Sequence, residues 1–288
     1  MARIGFVTDS TAHVPDDLVA KYGLRIADLT VQFGQQSFRE HADLTPDEFF
    51  RRMKESRALP TSSQPSQGEF LRVYEELAQD HDSIIVVTLS HKLSGTINSA
   101  TLAAKEMEGR GVPITVIDSL SAWMGTGLQV IAGAQAAAEG HSHAECVALI
   151  ESIVPRMQVL LVVDTLENLQ RGGRIGGATA FIGTMLQIKP VLTVRDGFVQ
   201  PLERVRTRRK ALERIVEIMA QYVGTQPYTA AVGHALAEAD ADQLRANILE
   251  RMPQARAMYS SPVSPVVAVH TGPGALGLVY YVNPPGQA

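Results

Sequence analysis

Three separated stretches of this 288-residue chain are rich in small hydroxyl side chains. They are Leu59-Pro60-Thr61-Ser62-Ser63-Gln64-Pro65-Ser66, Leu93-Ser94-Gly95-Thr96 and His270-Thr271-Gly272-Pro273-Gly274-Ala275-Leu276-Gly277. Each reads as a loop or a helix start. Hydroxyls there can donate hydrogen bonds to an anion, and the free N–H groups of a helix N-terminus add further donors. The same residue types also make ordinary caps and turns, so no single segment decides the matter. A glycine-rich turn, Gly172-Gly173-Arg174-Ile175-Gly176-Gly177, contributes a guanidinium.

Other candidate chemistry is weaker. Asp9 follows the first apolar run, where catalytic acids often sit. No base or metal cluster accompanies it in sequence, so a cap or network role reads better. The segment from Gly272 to Gly277 fits the letters G-x-G-x-x-G. The dinucleotide fingerprint needs a following helix and an acid about twenty positions on, and only eleven residues remain. Ser94 lacks the G-x-S-x-G surroundings of a nucleophile elbow, and the chain carries no P-loop pattern. The single cysteine, Cys146, excludes an internal disulfide or a thiolate cluster. Its apolar setting with Val147 and Ile150 predicts a buried structural thiol.

Apolar residues make up 45% of the chain and charged ones 19%, which suffices for a globular core. The net charge of −4 argues against a non-specific nucleic-acid binder, which would carry a basic face. The apolar run at 4–7 is too short for a signal peptide, and no run approaches membrane-spanning length. A cytoplasmic protein without stable membrane insertion is the expectation.

The elements that must position these groups follow from periodicity and caps. Runs at 4–7, 83–89, 114–117 and 159–163 are apolar on both faces, as in a parallel sheet covered by helices. Thr45 with Glu48 and Ser66 with Glu69 fit the capping box, and Asp164 with Glu167 opens a short helix. Leu93, Ile97, Ala100, Ala104 and Met107 share one helical face, and 125–138 reads as a small-residue helix. In the second half, 189–194 and 202–205 flank an Asp196-Gly197 hairpin signal. Leu212, Ile215, Val216, Met219 and Tyr222 mark a long helix, followed by a strand at 228–232, a helix at 237–249 and a last strand at 279–282. The division into two α/β domains falls at 1–160 and 161–288. The basic run Arg204, Arg206, Arg208, Arg209, Lys210 sits at a helix start, where the dipole favours acids. That mismatch motivates a partner-facing role.

Taken in order, Thr8-Asp9-Ser10-Thr11, Thr61-Ser62-Ser63-Gln64-Pro65-Ser66, Leu93-Ser94-Gly95-Thr96, Gly172-Gly173-Arg174-Ile175 and His270-Thr271-Gly272-Pro273-Gly274 resemble the motifs of the DegV family of bacterial fatty-acid-binding proteins. The resemblance runs over about residues 3–283. The family usually has two threonines where this chain has Thr61-Ser62, and a serine still donates a hydrogen bond. Where this chain has Ile97 the family usually has an aromatic, which alters local pocket shape. The resemblance implies two α/β domains, the first with a mainly parallel sheet and the second with a mixed sheet, with a long-chain fatty acid between them. It implies a carboxylate held by Thr61, Ser62 and Ser94, with His270 and Arg174 nearby, and a tail in an apolar tunnel. It further implies a carrier rather than an enzyme, with no cofactor beyond the bound acid. A separate fatty acid kinase subunit would phosphorylate the carboxylate, and the acyl phosphate would feed phospholipid synthesis. Arg206 is then the candidate for docking that kinase. Two alternatives stand beside this reading: a serine hydrolase using Ser94 and His270, and a lipid sensor or transport protein with no kinase.

Overall fold

β1 (Ile4–Asp9) lies between β2 (Arg25–Ala27) and β6 (Ser83–Thr88), and β7 (Ile114–Asp118) completes a parallel sheet in the order β2-β1-β6-β7. The computed structural model describes residues 2–56, 58–187 and 189–284, with 183–187 as backbone only. β6 is buried at every position, which is why its sequence is apolar on both faces. A second, antiparallel sheet is small: β3 (Thr30–Phe33) pairs with β4 (Gln36–Arg39) on one side and β5 (Thr61–Ser63) on the other.

The third sheet has six strands and is mixed. β8 (Gln158–Val162), β9 (Lys189–Arg195), β10 (Phe198–Val205), β11 (Tyr228–His234), β12 (Ala255–Pro262) and β13 (Leu276–Val282) lie in the order β10-β9-β8-β13-β11-β12. Only the β11–β12 pair is parallel. The mixed α/β architecture expected from the sequence is thus present. One placement within it needs correction. The apolar run at 159–163 belongs to this mixed sheet, antiparallel to both β13 and β9, and not to the parallel set. An apolar run reports burial on both faces, which either sheet provides, and says nothing of the partner strand.

Helices cover the sheets: α1 (Asp16–Tyr22), α2 (Pro46–Glu55), α3 (Gln67–Leu77), α4 (Thr96–Glu106), α5 (Met124–Ala138), α6 (His143–Ile153), α7 (Glu167–Arg171), α8 (Arg208–Val223), α9 (Glu238–Arg251) and α10 (Pro265–Thr271). α5 is buried over nearly its whole length and packs against strands of both large sheets. Its run of Gly and Ala permits that close approach. Ser66 and Glu69 make the full reciprocal box at the start of α3. Thr45 caps α2 in one direction only, because the Glu48 carboxylate is taken by Arg51 and Arg52. Asp164 does not cap α7; it binds Lys189 instead, and Thr165 accepts the N–H of Glu167. The Asp196-Gly197 turn has φ of 52° and 80° at its two central residues, the twist a two-residue hairpin requires. The Ser90 hydroxyl donates to the Gly197 carbonyl at 3.0 Å, which draws this hairpin over the carboxyl end of the parallel sheet.

Candidate functional site

A cavity of about 290 Å3 lies between the sheets. Its walls come from the small sheet and its exit (Ser62, Ser63, Gln64), the approach to α4 (Leu93, Ser94), α10 (Val266, Val267, His270) and the mixed sheet (Val159, Val194, Val279), with Trp123 and Arg174. Most of this lining is aliphatic. Among its polar groups are Ser62, Ser94, Arg174 and His270.

Ser62 lies on β5, paired with Val31 of β3. Strand alternation puts its side chain on the opposite face from that of Thr61, on the cavity side. Its Oγ lies 2.9 Å from Nε2 of His270. His270 sits in the last turn of α10 and is buried, and that burial, with the charge of Arg174, lowers its pKa to about 4. The ring is therefore neutral at physiological pH. Nδ1 has no hydrogen-bond partner among the described residues. It packs on Gly172, where a Cβ would stand 2.2 Å from it, so only glycine fits. A bare Nδ1 lone pair costs less to bury than an N–H donor aimed at carbon. In the tautomer protonated on Nε2 the ring donates to Ser62 Oγ, which leaves the Ser62 hydroxyl proton for the cavity.

Ser94 lies just before α4, whose N-cap Gly95 has no side chain to offer. Its Oγ accepts the N–H of Thr96 and shares a hydrogen bond with the Thr96 hydroxyl at 2.9 Å. Arg174 donates from Nε to the Leu93 carbonyl at 3.0 Å and from Nη1 to the Gly172 carbonyl at 2.7 Å. Its guanidinium is thus pinned between the glycine turn and the α4 approach, with no protein partner for Nη2 among the described residues. Gln64, to which sequence reasoning gave no role, donates to the Gly95 carbonyl and to Ser99 and so locks the β5 exit onto α4.

Four of the five residues expected at a carboxylate therefore meet: Ser62, Ser94, Arg174 and His270. Thr61 does not line the cavity. It is exposed, and its hydroxyl donates to Gln32 Oε1, because residues 61 and 62 point to opposite faces of a strand that read as loop in the sequence. His270 likewise belongs to the end of a helix and not to a loop or helix start. Asp9 is wholly buried and caps the turn Ser10–Ala12, accepting the N–H groups of Thr11 and Leu89. Burial raises its pKa to about 6. His270 pairs with Ser62, not Ser94, and among the described residues no carboxylate bonds Nδ1, so these residues do not form the Ser94–His270 hydrolase geometry.

The basic run divides. Arg208 binds Asp164, Asp240 and the Gly274 carbonyl, Arg209 pairs with Glu213, and Arg204 lies over the Phe181 ring. These charges have structural employment at the α8 start, contrary to the sequence expectation for the run as a whole. Arg206 is exposed, lies off the cavity and makes no side-chain hydrogen bond or ion pair among the described residues. Among those residues no group of His, Cys, Asp and Glu could hold a metal ion, and no helix is long and apolar enough to cross a membrane.

Comparison with known proteins gives this architecture relatives. The family model described as "uncharacterised protein, DegV family" matches residues 3–283. A DegV domain-containing protein of Clostridium perfringens is 37% identical over 278 residues, spanning 95% of this chain and 97% of that one. Among solved structures, a fatty-acid-binding DegV family protein from Thermus thermophilus shares 37% identity with a TM-score of 0.93, over 97% of this chain and 99% of that one. DegV from Bacillus subtilis, described as a fatty acid binding protein, shares 32% identity with a TM-score of 0.90, over 98% and 100%. The chain belongs to the DegV family.

Proposed function

We propose that the protein carries a long-chain fatty acid in this cavity and presents its carboxylate to a separate kinase subunit for acyl-phosphate formation. The observation that carries the reading is the division of one cavity into a small polar cluster and an aliphatic remainder. A buried carboxylate needs hydrogen bonds and a counter-charge to offset desolvation. Ser62 and Ser94 offer hydroxyl protons, and Arg174 offers a cation whose Nη2 has no partner among the described residues. The tail supplies the bulk of the affinity: at ~0.8 kcal/mol per buried CH2, about 15 methylenes gain on the order of 12 kcal/mol before ordering costs. The relatives described as fatty-acid binding support the ligand class. The kinase step rests on the family resemblance and on the lack of a nucleotide motif in the chain.

Binding of a long-chain acid and of its methyl ester to delipidated protein tests the carboxylate assignment. The acid binds at least tenfold more tightly than the ester of the same tail. Equal affinities would mean that the polar cluster does not read the carboxylate. Adding a fatty acid kinase and ATP tests presentation, with acyl phosphate forming only when the loaded carrier is present.

A further inference from the structure

Helix α10 is tied to the N-terminal half of the chain at both of its ends. At the last turn the tie is His270 to Ser62 of the small sheet. At the first turn it is Glu40, the residue that directly follows β4. Its Oε1 accepts the N–H of Val266 across 226 residues of sequence, and its Oε2 accepts the Ser10 hydroxyl. Ser264, the α10 N-cap, accepts the N–H of Val267 beside this bond. Ser10 Oγ in turn accepts the N–H of Leu29 at 2.9 Å, and the N–H of Glu40 donates to the Leu29 carbonyl at 2.8 Å. Glu40 is 3% exposed, and its network touches the turn after β1, the segment leading into β3, and α10.

α10 has seven residues. A helix so short has little stability of its own, so its position is set by what holds it. Val266 and Val267 of its first turn line the cavity, as does His270 of its last. A displacement of about 1 Å at the first turn carries through the helix and lengthens the Ser62–His270 bond toward the limit of hydrogen bonding.

We propose that Glu40 is a positioning residue for the acyl site: it fixes α10 against the small sheet, so setting the Ser62–His270 pair, and its release lets the two part so that the bound acid exchanges. The exchange half of this rests on the fatty-acid reading above; the positioning half does not. Asp9, on β1, is the acid whose charge acts on Glu40, and His13, Asp16 and His41 line a separate cavity of about 370 Å3 with Glu40. Arg174 is the charge that faces His270.

The test compares wild type with Glu40→Ala, Glu40→Gln and Ser10→Ala. The first readout is the NMR titration of the His270 ring in delipidated protein. The second is the rate at which a fluorescent long-chain acid leaves the protein for phosphatidylcholine vesicles. In Glu40→Ala the His270 midpoint moves from about 4 toward the ordinary 6.5 as water reaches the ring, and the exit rate rises at least tenfold. Entry quickens as well, so equilibrium affinity changes less than the exit rate. Glu40→Gln keeps an acceptor for Val266 and restores most of both values. Ser10→Ala shifts both in the same direction by a smaller factor. Should Glu40→Ala fail to fold, Ser10→Ala and Glu40→Gln carry the test. A wild-type His270 midpoint in every folded variant overturns the proposal, whatever the lipid does. A shifted midpoint in a protein that binds no fatty acid upholds the positioning role and overturns the carrier reading instead.

Discussion

Ser62 Oγ and His270 Nε2 stand 2.9 Å apart, although 208 residues separate them in the chain. This bond joins the small sheet to α10 at the cavity wall. It engages Nε2 of His270 with Ser62 and not with Ser94.

Serine truncation follows directly. If the proposed site is right, Ser62→Ala and Ser94→Ala each remove a hydrogen bond to a charged group, worth ~1.5–3 kcal/mol, or roughly 10- to 150-fold in affinity for the acid. The double variant is expected to lose more than either but less than the sum, since the proposed site gives both hydroxyls to one carboxylate. Thr61→Ala retains wild-type affinity, because its hydroxyl is spent on Gln32. Titration of delipidated protein with a fluorescent fatty acid distinguishes these, provided that thermal melts stay cooperative. A Thr61→Ala loss equal to that of Ser62→Ala would put the wrong face of β5 in the site.

His270 confers a pH dependence whose sign can be stated. Its folded pKa of about 4 lies below the ordinary 6.5, through burial first and the Arg174 charge second. The unfolded chain therefore binds the proton more readily. The contribution of a neutral His270 to stability is present in full above about pH 6.5 and is lost as pH falls toward 4, by ~3 kcal/mol in all. Glu40 and Asp9 are raised by burial, to about 7 and about 6, and act in the opposite direction over part of this range. The difference in stability between wild type and His270→Gln isolates the histidine. Urea melts at pH 7.5 and pH 4.5 should show the variant gaining on wild type at the lower pH. A pH-independent difference would mean that the ring titrates normally.

Trp123, the single tryptophan, lies on Gly233 of β11 beside its paired residue Gly277 of β13. A Cβ at Gly233 would come within 2.1 Å of the indole Cζ2. Gly233→Ala must displace the ring, which lines the cavity, at a cost on the order of 2 kcal/mol. Tryptophan emission and the melting temperature both change. Unchanged emission with full stability would place the ring elsewhere.

The parts of this protein most legible in sequence were those with local causes. The Asp196-Gly197 hairpin, the Ser66–Glu69 capping box and the buried run of β6 each follow from neighbouring residues. The hydroxyl segments and the Arg174 turn pointed to the groups that line the cavity. What escaped depended on distant partners. β5 is three residues long and pairs with β3 about thirty residues earlier, so Thr61 and Ser62 could not be assigned to opposite faces. β8 carries the same apolar signal whether its neighbours are parallel or antiparallel. Glu40 gives no sequence signal, because its partners lie at Ser10 and Val266. The basic run misled for the same reason: Asp164 and Asp240, which hold Arg208, are remote in sequence.

On the proposed kinase reading, Arg206 should separate docking from binding. It is exposed and off the cavity, so Arg206→Glu leaves fatty-acid affinity within about twofold. Exposed interface charges chiefly steer association and are screened by salt. The variant slows acyl-phosphate formation at limiting carrier, and raised salt slows wild type in the same direction. Arg174→Ala lowers both binding and phosphorylation. A kinase assay paired with direct binding reads all three effects, and lipid loss in Arg206→Glu as large as in the serine double variant would assign that residue to the pocket.

The central claim is that the cavity holds a long-chain fatty acid. Its most direct test is to purify the protein from cells without added lipid, extract it and quantify the released acids by mass spectrometry against protein concentration. The account predicts close to one equivalent of long-chain fatty acid, falling sharply in the Ser62/Ser94 double variant. No fatty acid from folded wild-type protein, or the same amount from wild type and double variant, would contradict it.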